Sequence, residues 1–204
     1  MKLAAAATDP ASSPGVRALA AMLADAGGLL ARKAALSAIG HLEQADRQSL
    51  YKLRVRLGPL DVFLPPLLKP AAQHWRAALI AVKQGQAMPV LPPPGAATLT
   101  AEADPRGAAL AYRRLGPTWL RIDLADRLAS HARKVRSGSG DDPVDRDLAT
   151  SIGLTDVAIA RLMADIGFAR SGETWKWRGR RTPRPDHRAS PSNAFAELAK
   201  LKKK

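Results

Sequence analysis

The sequence predicts a mainly α protein, and three observations carry that expectation. Apolar residues make up 46% of the chain but aromatics only 4%, so the core must be built mostly from Ala, Leu, Val and Ile, which suits closely packed helices. Amphipathic runs with helical spacing recur along its length. Near the C-terminus, residues 145–168, DRDLATSIGLTDVAIARLMADIGF, carry the spacing of a helix-turn-helix. At 204 residues the chain is long enough for one large domain or two small ones.

Taken in order, MKLAAAATDP has an apolar run that Thr8, Asp9 and Pro10 end well before the length of a secretory core segment, so residues 1–15 read as a flexible leader. A helical domain with a short hairpin is expected over 16–86. Ser13 and Pro14 signal a helix start. Leu19, Met22 and Leu23 follow at helical spacing, and a break at Gly27-Gly28 leads to a second helical run, giving a helical hairpin. Asp46 is placed to cap a short helix running to Leu53. In RVRLGPLDVFLPP, Val55 and Leu57 alternate with Arg54 and Arg56, Gly58-Pro59 turns the chain, and LDVFL forms a second strand. Pro70 opens and Gly85 closes a helix in which Trp75, Leu79 and Val82 share a face.

Residues 87–116 contain Pro89, Pro92, Pro93, Pro94 and Pro105 and read as an extended linker at a domain boundary. A second domain is expected over 117–180. Leu120, Leu124 and Leu128, spaced by four with Trp119 beside them, predict an amphipathic helix, and SGSGDDP predicts a loop. In the helix-turn-helix that follows, Ala149 supplies the small contact residue, Gly153 the tight turn, Ile159 and Leu162 the buried side of the second helix, and Thr155 its cap. FARSG and ETWKWRG then predict a two-stranded hairpin. Three helices and a hairpin are the order of a winged helix. Residues 181–204 read as a disordered basic tail ending in a short amphipathic segment.

Lys and Arg number 32 against 18 Asp and Glu, a net charge of +14 that favours a polyanionic partner. Arg178 to Lys204 holds nine basic and two acidic residues, so half the excess lies there. Strand alternation sends Lys176, Arg178 and Arg180 to one face of the hairpin, where they can follow a phosphate backbone or simply guard a solvated edge. Arg170 and Arg181 add to the same region. Trp175 and Trp177 fall on the other face, and two readings stand for them, base stacking or packing of the hairpin onto the helices. On the second helix of the helix-turn-helix, only Arg161 among the outward residues has the fork that reads guanine, while Asp156 repels phosphate. Arg54, Arg56 and Lys69 form a second candidate basic patch or a plain exposed strand face. In the tail, Phe195, Leu198 and Leu201 are spaced to dock on a partner or to fray in solvent.

Cysteine is absent, which excludes disulfides, thiolate chemistry and sulfur-ligated zinc, and suits a reducing cytoplasm. No apolar run approaches the roughly 20 residues that span a bilayer, so no membrane partner is expected. No Gly is followed by Lys, which removes the phosphate-binding P-loop. His41, His74, His131 and His187 are isolated, no Ser lies in a G-x-S-x-G elbow, and the carboxylates of DDPVDRD suit helix N-termini. No enzyme, cofactor or metal site is expected.

The segments LYKLRVRLGPLDVFLPPLLKPAAQHWRAAL, LPPPG and RRLGPTWLRIDLADRLA, followed by the helix-turn-helix and GETWKWRG, resemble the C-terminal accessory region of bacterial helicase-related proteins similar to the mitochondrial degradasome RNA helicase of superfamily 2. The likeness runs from Val16 to Arg178, with an echo in NAFAELAKL. It implies a region that sits on a helicase core and guides RNA while the core hydrolyses ATP. The two motor domains have no counterpart in this sequence, so unwinding by this chain alone is not expected. The expected function is that of a non-catalytic accessory module binding RNA or single-stranded nucleic acid. The alternatives are a scaffold docking on a helicase motor domain or another protein, and a winged-helix DNA-binding regulator.

Overall fold

In the computed structural model, residues 2–137 and 142–179 are described. Arg180, Arg181, the tail, and its Phe195, Leu198 and Leu201 lie outside the described residues. Helices take up about 53% of the described chain, so the fold is mainly α, as composition predicts.

The expected leader contains helix α1 (Lys2–Thr8), packed on α2 (Pro14–Asp25). Four consecutive alanines have the highest helix propensity, and Ala6 and Leu3 find apolar cover against α2. The Ser13 side chain caps α2 by accepting from the Val16 amide at 3.2 Å, with Pro14 in the first turn. Beyond Gly27-Gly28 the chain forms strand β1 (Leu29–Ala31) instead of a second helical run. Both glycines take left-handed φ, at +65° and +88°, and the turn they make sets β1 antiparallel to β3 (Asp61–Phe63). Helical structure resumes only as a 3₁₀ turn at Arg32–Ala35 and the short α3 (Leu36–Gly40).

Helix α4 (Gln44–Lys52) begins earlier than predicted. Glu43 is its cap, and Asp46, three residues on, accepts from the Glu43 amide at 3.0 Å in a capping box. The hairpin partner β2 (Arg56–Leu57) is shorter than the alternation suggested, because Arg54 belongs to the turn that ends α4. The sheet order is β1-β3-β2. A 3₁₀ turn at Pro65–Leu68 leads to α5 (Pro70–Gln84), closed by left-handed Gly85 as predicted. The face shared by Trp75, Leu79 and Val82 is turned outward. Gln73, Ala77 and Ala81 are buried, while Trp75, Leu79 and Val82 are exposed. Two alanines allow close approach, and Gln73 and Arg76 fix the helix by donating to the carbonyls of Leu68 (2.6 Å) and Leu110 (2.7 Å).

The expected linker is only partly extended. It holds β4 (Thr98–Leu99), α6 (Pro105–Ala108) and β5 (Tyr112–Leu115), and with β6 (Thr118–Arg121) these strands form a sheet of order β4-β6-β5. Trp119 and Leu120 therefore lie in a strand, and α7 (Ile122–Arg136) starts after them. Period-two burial wins here: Trp119 enters one apolar cluster with Tyr112 and Ala111, and Leu120 enters another with Leu128 and Leu162.

The helix-turn-helix spacing is realised by α8 (Arg146–Ser151) and α9 (Asp156–Ile166). Asp145 and Thr155 cap them, Gly153 turns at φ +65°, and Ala149 and Leu162 are buried. Strands β7 (Phe168–Ser171) and β8 (Thr174–Trp177) follow as the predicted hairpin. Leu60, from the first hairpin, shares a cluster with Leu115, Leu120 and α9. Arg113 of β5 reaches Asp61 at 2.8 Å and Asp165 at 2.9 Å, and Arg56 reaches Asp126 at 2.9 Å.

Candidate nucleic-acid interface

Register decides what the hairpin presents. Phe168 pairs with Trp177 and Arg170 with Trp175, so these four share one face, and Ala169 and Lys176 share the other, with Arg178 continuing it. The first face is turned to the helices: Phe168 is buried, Trp175 packs on the cluster of α7 and α9, and Trp177 meets Phe168 edge-on at 5.2 Å between centroids. Both tryptophans thus have partners within the fold. Arg170 is exposed at this face, its Nε donating to the Gly172 carbonyl at 3.1 Å, so it does not share the face of Lys176 and Arg178. Those two are exposed, and neither is in an ion pair with a described carboxylate. The Arg178 amide, donating to Gly167 at 2.9 Å, holds the chain beside β7 past the end of β8.

Trp177 also carries a cation. The Arg136 guanidinium lies 4.5 Å from its ring centroid, in the range where the ring's negative face attracts a positive charge. This sets the last turn of α7, with Arg133, Lys134 and Arg136, beside the hairpin. The sequence reading missed these three, although ARKVR at the end of an amphipathic helix was a visible signal. Their charges also complement the negative end of the helix dipole.

Arg54, Arg56 and Lys69 come together. They line a groove of about 720 Å³ with Tyr51, Lys52 and Pro65. Arg56 is the compensated one, its guanidinium 2.9 Å from Asp126, whose side chain is only 10% exposed. Burial pushes the Asp126 carboxyl above its ordinary value, against the pull of Arg56. One Asp126 oxygen has no hydrogen-bond partner. Arg161 does not line this groove; it is exposed on α9, 3.8 Å from Asp165 one turn on, a carboxylate it shares with Arg113.

No protein-family model, curated protein or solved structure matches this chain. Among the described residues no helix is long and apolar enough to cross a membrane.

Proposed function

We propose that this chain is a non-catalytic nucleic-acid-binding module, an accessory to a helicase-like motor, that grips RNA or another single strand by its phosphates. The order α7, α8, α9, β7, β8, with capped helices and a tight turn at Gly153, supports reading this half as a winged helix with β7 and β8 as its wing. The observation that carries the reading is the seat of Arg136 over Trp177. It brings the cationic last turn of α7 to the wing that displays Lys176 and Arg178, and none of these charges is ion-paired to a described carboxylate. The tryptophans serve as the anchor, and the cations make the contact.

Affinity for a fluorescent mixed-sequence RNA should fall steeply with salt, because each phosphate neutralised releases counterions. The double variant Lys176→Ala, Arg178→Ala should flatten the slope of log affinity against log salt by about 1.4, at about 0.7 per phosphate for a single strand. An unchanged slope removes the wing as the contact. That outcome would favour the second reading, a scaffold docking on a motor domain. The exposed stripe of Trp75, Leu79 and Val82 on α5 is the observation on its side.

A further inference from the structure

The two basic regions that look separate in the sequence are joined in the fold. Arg56 lines two depressions: the groove that holds Arg54 and Lys69, and a second of about 310 Å³ along α7 where Arg127 and Lys134 stand with the carboxylates of Asp126 and Asp145. Lys134 belongs to the same last turn as Arg136, which covers Trp177 of the wing. The Arg54 groove is the chemically distinct end of this track. No carboxylate lines it, and Lys52, Arg54 and Lys69 have no ion-pair partner among the described residues. Tyr51 stands at it with 79% of its surface exposed, although an aromatic ring gains most from cover.

Arg54 shows that this surface is held at a cost. Helix α4 ends with the Arg54 amide donating to Tyr51 at 2.8 Å and the Val55 amide to Leu50 at 2.9 Å. That paired closure requires a left-handed residue, normally glycine. Arg54 takes φ +61°, the only non-glycine residue at positive φ among those described. A side chain there is strained, and this one is exposed with no side-chain hydrogen bond or ion pair within the described fold to repay it. What it supplies is an outward charge.

We infer that this groove is a second seat for single-stranded nucleic acid. Tyr51 stacks on an unpaired base, Lys52, Arg54 and Lys69 hold the flanking phosphates, and Arg56, fixed by Asp126, leads the strand toward α7. The inference rests on the nucleic-acid reading above and adds a preference for unpaired strands, since a duplex keeps its base faces stacked inside.

The test uses the full chain, a labelled mixed-sequence RNA as single strand and as duplex, and melting curves for each variant. Arg54→Gly should raise Tm by about 2–4 °C as the strain is relieved, yet weaken single-strand binding and lower its salt slope by about 0.7. Tyr51→Ala should leave Tm unchanged and weaken single-strand binding about fivefold or more, with duplex binding unaffected. If both variants bind like the unaltered protein while Lys176→Ala, Arg178→Ala weakens binding, the groove is not a seat and the wing reading stands. If the unaltered protein binds no RNA, both fall. Retention of a polyglutamate probe in preference to RNA, lost in Arg54→Gly, would overturn the proposal in favour of an acidic peptide.

Discussion

Asp61 illustrates how one residue can hold the fold together and still weaken it with pH. Its carboxyl is buried against Arg113, and burial pushes its pKa above the ordinary 3.8 despite that partner. The native state therefore keeps the proton to higher pH than the unfolded chain does. The contribution of Asp61 to stability is greatest at low pH and falls as pH rises from 3.8 through its native value. Asp104 acts in the opposite sense. Amides of Val90 and Arg106 hold its carboxyl below the ordinary value, so its contribution is lost as pH falls through that lowered value. Asp61→Asn keeps a polar group facing Arg113 and removes the titration, so the stability of this variant above pH 4, read from melting curves, should fall less with pH than that of the unaltered protein. Parallel profiles would show that Asp61 titrates as an ordinary surface carboxylate.

At the scale of elements, the helix-turn-helix pair depends on its caps because both helices are short. Thr155 accepts from the Ala158 amide at 3.3 Å and Asp145 from the Leu148 amide at 3.0 Å, each satisfying a donor that α9 or α8 would otherwise leave unpaired. Thr155→Ala should cost about 1 kcal/mol and lower Tm by about 2–4 °C. Since the Thr155 side chain makes only this cap, the RNA affinity proposed above should be unchanged below the melting transition. The hairpin depends on tertiary cover instead, with Phe168 buried, Trp175 packed on the cluster of α7 and α9, and Trp177, partly exposed, held against Phe168 and Arg136. An isolated two-stranded hairpin is marginal in water, so β7 and β8 stay paired because the helices hold one of their faces.

At the scale of the whole molecule, Arg113 joins three stretches distant in sequence. It carries Asp61 of β3 on one side and Asp165 of α9 on the other, from its own place in β5. The paired carboxylates raise its pKa despite burial, so it stays charged across the working range. Arg113→Ala leaves two acids facing each other without a cation, and should destabilise the protein by about 3–5 kcal/mol, the usual cost of breaking a partly buried pair. Equilibrium unfolding in urea measures this. A loss below about 1 kcal/mol would mean that the bridge behaves as a surface pair.

Local rules made a good part of this legible. Ser13-Pro14, Pro70 with Gly85, the Gly153 turn and the Thr155 cap act within a few residues of chain, which is why α2, α5, the α8–α9 pair and the alternation of the β7–β8 hairpin could be read from local sequence. It also placed Arg54, Arg56 and Lys69 among the candidate cations. Tertiary structure alone decided the rest, because pairing and burial depend on partners far along the chain. Leu29–Ala31 became a strand because β3 offered it an edge, and Trp119 and Leu120 became strand residues because cover was available on both sides of β6. Trp75 was turned outward because two alanines packed more closely, and Arg136 met Trp177 only when α7 and the β7–β8 hairpin were folded together. Helix caps are written in neighbouring residues; the shape of a charged surface is written in contacts that no local stretch of sequence contains.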